Sequence, residues 1–258
     1  MNYIMVSGHN EKHLSKVETI DGVVMLNLED GVPKNKKEIA LKNIISLLKK
    51  TKKQNIVIRV NSLEESGLNE IVALNQFKYP FRIPKINSLK ELDRVFDITN
   101  NEIHLSIETK EAFFNLKTFK HRQITTFYLG ILDLFDELKL NHSLINFDNQ
   151  MIHKILIDFS LNCRYLDVKP IGFVYQKYKD LDGFKKWCNI QKEYGFNGVG
   201  CITPAQLEIA NKIFTNENKE YAKMIVQRFE KEGPFTIDGL YVDEPIYKNY
   251  KLKLKSII

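Results

Sequence analysis

Eight short β-rich runs separated by amphipathic segments restrict this chain more than any other feature, because regular strand–helix alternation leads to a parallel sheet with helices outside it. The runs cover residues 3–8, 23–29, 55–61, 81–86, 102–108, 124–130, 170–175 and 199–203. Between and after them, helical periodicity is read over 11–18, 36–50, 68–76, 89–96, 111–119, 151–162, 183–194 and 205–214. Ser88 with Glu91 three positions on is expected to form a capping box, and Gly195 to stop the seventh helix. Strict alternation to a count of eight favours a closed (β/α)₈ barrel, for which 258 residues suffice. Periodicity does not show closure, so an open doubly wound sheet stays as the alternative.

Past the eighth repeat, a helical stretch at 218–231 and a β-like segment at 236–247 are expected to extend the same domain, with the barrel ending at 217. The lysine runs at 49–53 and 251–255 read as a solvated helix end and a tail. A net charge of +6 raises the question of nucleic acid, but the lysines are scattered rather than gathered on one stripe, so no nucleic-acid partner is expected. Three cysteines, Cys163, Cys188 and Cys201, without Cys-x-x-Cys spacing indicate neither a disulfide framework nor structural zinc. With no export signal and no run of 18 apolar residues, a cytoplasmic protein without a membrane span is expected.

In a parallel barrel the carboxyl ends of all strands converge on one mouth, where such folds place their chemistry. The strand ends here are polar: Ser7 and His9, Glu29 and Asp30, Arg59 and Asn61, Lys85, Glu108, and Asp133 beyond Gly130. Carboxylates without converging cysteines suit a hard cation, Mg²⁺ or Mn²⁺, which prefers oxygen ligands and retains waters. Arg59 supplies a planar fork for a carboxylate or a developing oxyanion. Lys85 offers either a binding cation or the amine of a Schiff base. His9 and His13, four apart, read as a surface pair, and Trp187, Phe113, Phe114, Phe127 and Tyr128 as core or helix packing. Neither a glycine-rich dinucleotide loop nor a P-loop is present.

The order and spacing of the blocks Leu26-Asn27-Leu28-Glu29-Asp30-Gly31-Val32, Ile58-Arg59-Val60-Asn61, Ile83-Pro84-Lys85-Ile86, Ile107-Glu108-Thr109, Gly130-Ile131-Leu132-Asp133-Leu134, Gly195-Phe196-Asn197-Gly198 and Asp238-Gly239-Leu240-Tyr241-Val242-Asp243-Glu244-Pro245 resemble those of the HpcH/HpaI aldolase and citrate lyase β-subunit family. The resemblance implies a metal-dependent barrel, generally oligomeric and often trimeric, that makes or breaks carbon–carbon bonds in citryl, malyl or citramalyl thioesters and related acids. By it, Glu108 and Asp133 would be the metal ligands, with Glu29 and Asp30 holding the metal's waters. Arg59 would bind the reacting oxygens, with Lys85 and Gly130 also on the substrate. Asp243 would reach a neighbouring subunit's mouth and exchange a proton with the carbon beside the thioester.

Five features usual in the family are missing: an Arg-Ser pair before the first strand, an aspartate where Asn27 stands, an acid where Leu132 stands, an aspartate near Gly172 and a histidine where Thr203 stands. The resulting expectation is a Mg²⁺-dependent lyase acting on a 3-hydroxyacyl thioester. Its rivals are a metal-dependent oxoacid aldolase on free acids and a ligand-binding barrel with reduced or lost turnover.

Overall fold

The computed structural model describes residues 2–214 and 219–255, which form two compact units. The expected domain boundary at 217/218 lies outside the described residues. In the first unit, β1 (Tyr3–Ser7), β2 (Val23–Asn27), β3 (Ile56–Arg59), β4 (Phe81–Ile83), β5 (Ile103–Ile107), β6 (Ile124–Leu129), β7 (Lys169–Gly172) and β8 (Gly198–Cys201) close into a parallel barrel in sequence order. β1 pairs with β8 through Tyr3–Gly200 and Ile4–Cys201, so no edge is left open and the doubly wound alternative is excluded.

The intervening helices are α1 (Glu11–Leu14), α2 (Lys37–Leu48), α3 (Gly67–Leu74), α4 (Asp93–Ile98), α5 (Lys110–Phe114), α6 (Ile131–Glu137), α7 (Gln150–Tyr165), α8 (Leu181–Glu193) and α9 (Pro204–Phe214). None of the described helices is long and apolar enough to cross a membrane. The short helix α6, directly after β6, was not anticipated by periodicity, and it carries Asp133. Gly195 closes α8 as expected, with φ +83° in the left-handed region that favours glycine. The Ser88 box takes another form: the Ser88 hydroxyl donates to Glu91 Oε1 (3.1 Å) and does not accept from a helix N–H. Of the aromatics read as packing residues, Trp187, Phe127 and Tyr128 are buried, but Phe114 is 71% exposed.

Side chains alternate between two apolar layers, as the period of two in a strand requires. Ile4, Val24, Leu26, Ile58, Phe81, Ile83 and Leu105 belong to the large cluster shared with the helices, whereas Tyr3, Val23, Met25, Val57, Tyr128 and Ile171 form a separate cluster inside the barrel. Continuing the alternation turns Asn27, Arg59, Arg82, His104, Ser106 and Glu108 inward. The register places Asn27, Arg59, Arg82 and His104 side by side across β2 to β5.

The second unit comprises α10 (Lys219–Glu232), a hairpin of β9 (Phe235–Ile237) and β10 (Leu240–Val242), and α11 (Glu244–Lys255) around Ile225, Phe235 and Val242. Asp238 and Gly239 (φ +48° and +78°) make the two-residue turn whose left-handed residues match the twist of a hairpin. The stretch read as β-like to 247 therefore stops at Val242, and the lysine run read as a tail lies on α11. One face of that helix packs into the unit, with Ile246 and Tyr250 against its core and Tyr247 stacked on Phe229 at 4.5 Å.

Candidate functional site

Glu108 is the deepest acid of the mouth. It follows β5 with its carboxyl buried, and Oε1 accepts the backbone N–H of Lys85 (2.9 Å). Lys85 can present that N–H because it adopts φ +56°, immediately after Pro84 has ended β4. Gly130, which begins α6, allows the approach from the other side: a Cβ there would stand 2.5 Å from Glu108 Cβ and 2.9 Å from Oε2. Burial raises the Glu108 pKa, Arg59 and Arg82 oppose the shift, and the nearby carboxylate of Asp133 adds to it.

Glu29 and Asp30 leave β2 and converge on Arg59 from β3. Arg59 Nη2 pairs closely with Glu29 Oε2 and lies 3.3 Å from Asp30 Oδ2. Asn27 shapes this loop, accepting the Glu29 N–H at 3.1 Å while its amide donates to the Asp30 carbonyl. Burial pushes the Glu29 carboxyl up to about 6 despite the pull of Arg59, and its Oε1 is buried without a hydrogen-bond partner. Asp30 moves the other way, because Arg59 and neighbouring cations outweigh its burial. Lys85 reaches Glu29 Oε1 at 3.8 Å. Burial pulls its pKa down, yet the carboxylates of Glu29, Asp30, Glu108 and Asp133 hold it above the ordinary lysine value.

A cavity of about 540 Å³ at the barrel mouth is lined among others by Asp30, Arg59, Arg82, Glu108, Gly130 and Asp133; Glu29 and Lys85 stand behind this lining. That volume suits a small-molecule ligand. His13 also lines it, although its side chain is exposed. Asn61 does not line it: its side chain donates to the Leu28 carbonyl (3.1 Å) and to Glu70, and accepts from Lys37 Nζ, so it braces β3 against α2 and α3. His9 is occupied with Ser7 Oγ (2.8 Å).

Two positions where a residue expected from the resemblance is missing hold local structural roles. At Gly172 an added Cβ would fall 1.9 Å from Gln191 Oε1, so a side chain there would displace the Gln191 amide, whose oxygen accepts the Phe173 N–H at 3.1 Å. Thr203 caps α9, its hydroxyl accepting the Gln206 N–H at 3.2 Å. In the second unit Asp243 caps α11, with Oδ1 accepting the Ile246 N–H at 3.1 Å.

The donor set suits a hard divalent cation. Among the described residues no group of three or more histidine, cysteine, aspartate or glutamate side chains is arranged as a metal site, while Glu108 and Asp133 both line the cavity. Mg²⁺ is commonly held by one or two carboxylates while keeping several waters. The orphaned Glu29 Oε1 and the mutual repulsion of Glu108 and Asp133 are features that such a cation and its waters would relieve.

Arg82 was missed in the sequence. Its signal was available: a single arginine between Phe81 and Ile83, two residues that face the helices, must point into the barrel.

A family model described as HpcH/HpaI aldolase/citrate lyase matches residues 3–204. The chain is 28% identical to a (3S)-malyl-CoA thioesterase of Cereibacter sphaeroides, covering 93% of this chain and 88% of that protein. It is 23% identical to the mitochondrial citramalyl-CoA lyase of Rattus norvegicus, covering 95% and 82%. Among solved structures it resembles CitE from Mycobacterium tuberculosis in complex with magnesium, acetoacetate and coenzyme A, with TM-score 0.78, 19% identity and coverage of 99% and 97%.

Proposed function

Because the chain belongs to the HpcH/HpaI aldolase/citrate lyase family, we propose that it is a Mg²⁺-dependent carbon–carbon lyase acting on a 3-hydroxyacyl thioester of coenzyme A or a carrier protein. The observation that carries this reading is the convergence of Glu108 and Asp133 beside Arg59 on one cavity. A divalent cation held by Glu108 and Asp133 would supply Lewis acidity toward the hydroxyl and carboxylate of the substrate. The remaining work falls to the chain itself.

Arg59, fixed by Glu29 and Asp30, directs its guanidinium toward the reacting oxygens. Lys85 adds positive charge at the rim and remains an ammonium at neutral pH, since four carboxylates hold its proton. Glu29, tuned to about 6, is the carboxyl best matched to accept the hydroxyl proton through a water. As that proton leaves, the bond between C2 and C3 breaks, its electron pair passes to the thioester as an enolate, and C3 becomes the carbonyl of an oxoacid. Asp243 of a neighbouring copy in a homo-oligomer, a trimer in this reading, then delivers a proton to C2. Its placement on the second unit and its match to the family block support that assignment.

Similarity to the malyl-CoA thioesterase favours a second reading, in which the thioester is hydrolysed and the carbon chain stays whole. Incubation with Mg²⁺ and malyl, citramalyl and citryl thioesters, followed by mass detection, separates the two. An oxoacid plus a shortened acyl thioester supports the lyase, whereas free hydroxy acid plus free coenzyme A supports hydrolysis. Cleavage of free 4-hydroxy-2-oxo acids to an oxoacid and an aldehyde, with no thioester, would mark an oxoacid aldolase, and bound ligand without products a binding protein.

A further inference from the structure

Below the carboxylates the barrel holds a cation that none of these roles uses. Arg82 stands in the middle of β4, in register with Arg59 on one side and His104 on the other. It is buried, yet it lines both the mouth cavity and a small void beneath it. Its partners are all neutral. Nε donates to Ser106 Oγ at 2.9 Å, Nη1 contacts Met25 Sδ at 3.2 Å, and the guanidinium lies 4.1 Å from the centroid of the Tyr128 ring. Among the described residues Arg82 has no carboxylate within ion-pair distance, and its Nη2 has no hydrogen-bond partner.

A guanidinium taken out of water without a paired anion is unfavourable, and a methionine or leucine would fill the same space without that penalty. The thioether is a weak acceptor, so the contact with Met25 is readily given up. Burial, with Arg59 acting in the same direction and Tyr128 and the more distant Glu108 and Glu29 opposing, lowers the Arg82 pKa to about 10, so the group stays cationic at neutral pH.

Resting on the lyase reading, we propose that Arg82 is a specificity-determining residue that receives a second carboxylate, so that the oxoacid half of the substrate is a dicarboxylate. The planar fork suits this task, because a carboxylate can engage Nη2 together with the nitrogen now resting on the thioether.

Two pairs of probes differ by that carboxylate: citryl-CoA against citramalyl-CoA, and oxaloacetate against 2-oxobutyrate. Mg²⁺-loaded wild type, Arg82→Gln and Arg82→Lys are compared by kcat/KM on the thioesters and by calorimetric binding of the oxoacids. Wild type is expected to favour the two-carboxylate member of each pair by about 100-fold, since the other member leaves a buried charge unpaired. In Arg82→Gln that ratio should fall to near one, mainly through KM and Kd, with Arg82→Lys between.

Equal handling of the two members by wild type overturns the proposal, as does failure to bind either oxoacid or an unchanged ratio in Arg82→Gln. If Arg82→Gln does not fold, the wild-type and Arg82→Lys ratios decide alone. An Arg82-dependent preference in binding, with neither thioester cleaved by wild type, would keep the anion site and refute the lyase reading.

Discussion

Replacing Gly130 by alanine tests whether Glu108 stands where its chemistry requires. The new Cβ would lie 2.5 Å from Glu108 Cβ, 2.9 Å from Oε2 and 3.4 Å from Cα. Ordinary carbon–carbon contact is at about 3.5–4.0 Å, so Glu108 or the start of α6 must retreat by roughly 1 Å. Backbone strain is not involved, because φ at Gly130 is −87°, which alanine adopts freely. Overpacking of this kind costs roughly 1–3 kcal/mol. In a chain of this size each 1 kcal/mol lowers Tm by about 2–4 °C, so calorimetry should record a fall of roughly 2–12 °C. The functional loss should be larger in proportion, since a displacement of about 1 Å at a catalytic group can cost about 100-fold in rate. Mg²⁺ titration should show weakened binding alongside the loss of kcat/KM. A variant that melts lower but binds Mg²⁺ and turns over like wild type would refute Glu108 as a metal ligand positioned by this contact.

Glu108→Gln and Asp133→Asn should each lose Mg²⁺ binding and turnover while staying folded, as read by calorimetric titration and circular dichroism; tight Mg²⁺ binding by either would remove that residue from the ligand set. Borohydride added with substrate should leave no stable mass on the peptide containing Lys85, because a lysine whose proton is held by four carboxylates is a poor amine nucleophile. Glu29, raised to about 6 against an ordinary 4.5, binds a proton in the native state that the unfolded chain has already released. Its contribution to stability is thus present below pH 4.5 and lost as pH rises through 6, on the order of 2 kcal/mol. Glu29→Gln should remove that component, so urea melts across this range would show a changed slope, and parallel slopes would count against it. Asp243→Asn and Glu108→Gln chains, each inactive alone, should on mixed refolding recover about one quarter of wild-type sites if every site combines two neighbouring copies. Asparagine keeps the helix cap that Asp243 supplies, so that variant isolates the acid.

The candidate site was legible to a particular depth. Glu29, Asp30, Arg59, Lys85 and Glu108 sit at strand ends, where polar residues interrupt an apolar run, and those interruptions are visible in one dimension. The β-rich runs extend further than the ladders: those at 81–86 and 170–175 pass the observed ends of β4 and β7 by three residues each. The overshoot is where the ladder ends and the mouth begins. Asn61 belongs to the same visible class, yet the fold spends it on Glu70 and Lys37, and only the positions of α2 and α3 reveal that.

Strand period and repeat count therefore determined the eight parallel strands, their polar ends and most of the charges there, because alternation along a strand is a local property that each run carries in its own residues. Closure through Tyr3 and Gly200, the approach of Gly130 to Glu108 and the filling of the space beside Gly172 by Gln191 depend on residues far apart in sequence. So does the isolation of Arg82, whose neutral surroundings come from Met25, Ser106 and Tyr128 on three other strands. No single run encodes these, since a distance between strands exists only once the barrel has closed and desolvated what it encloses.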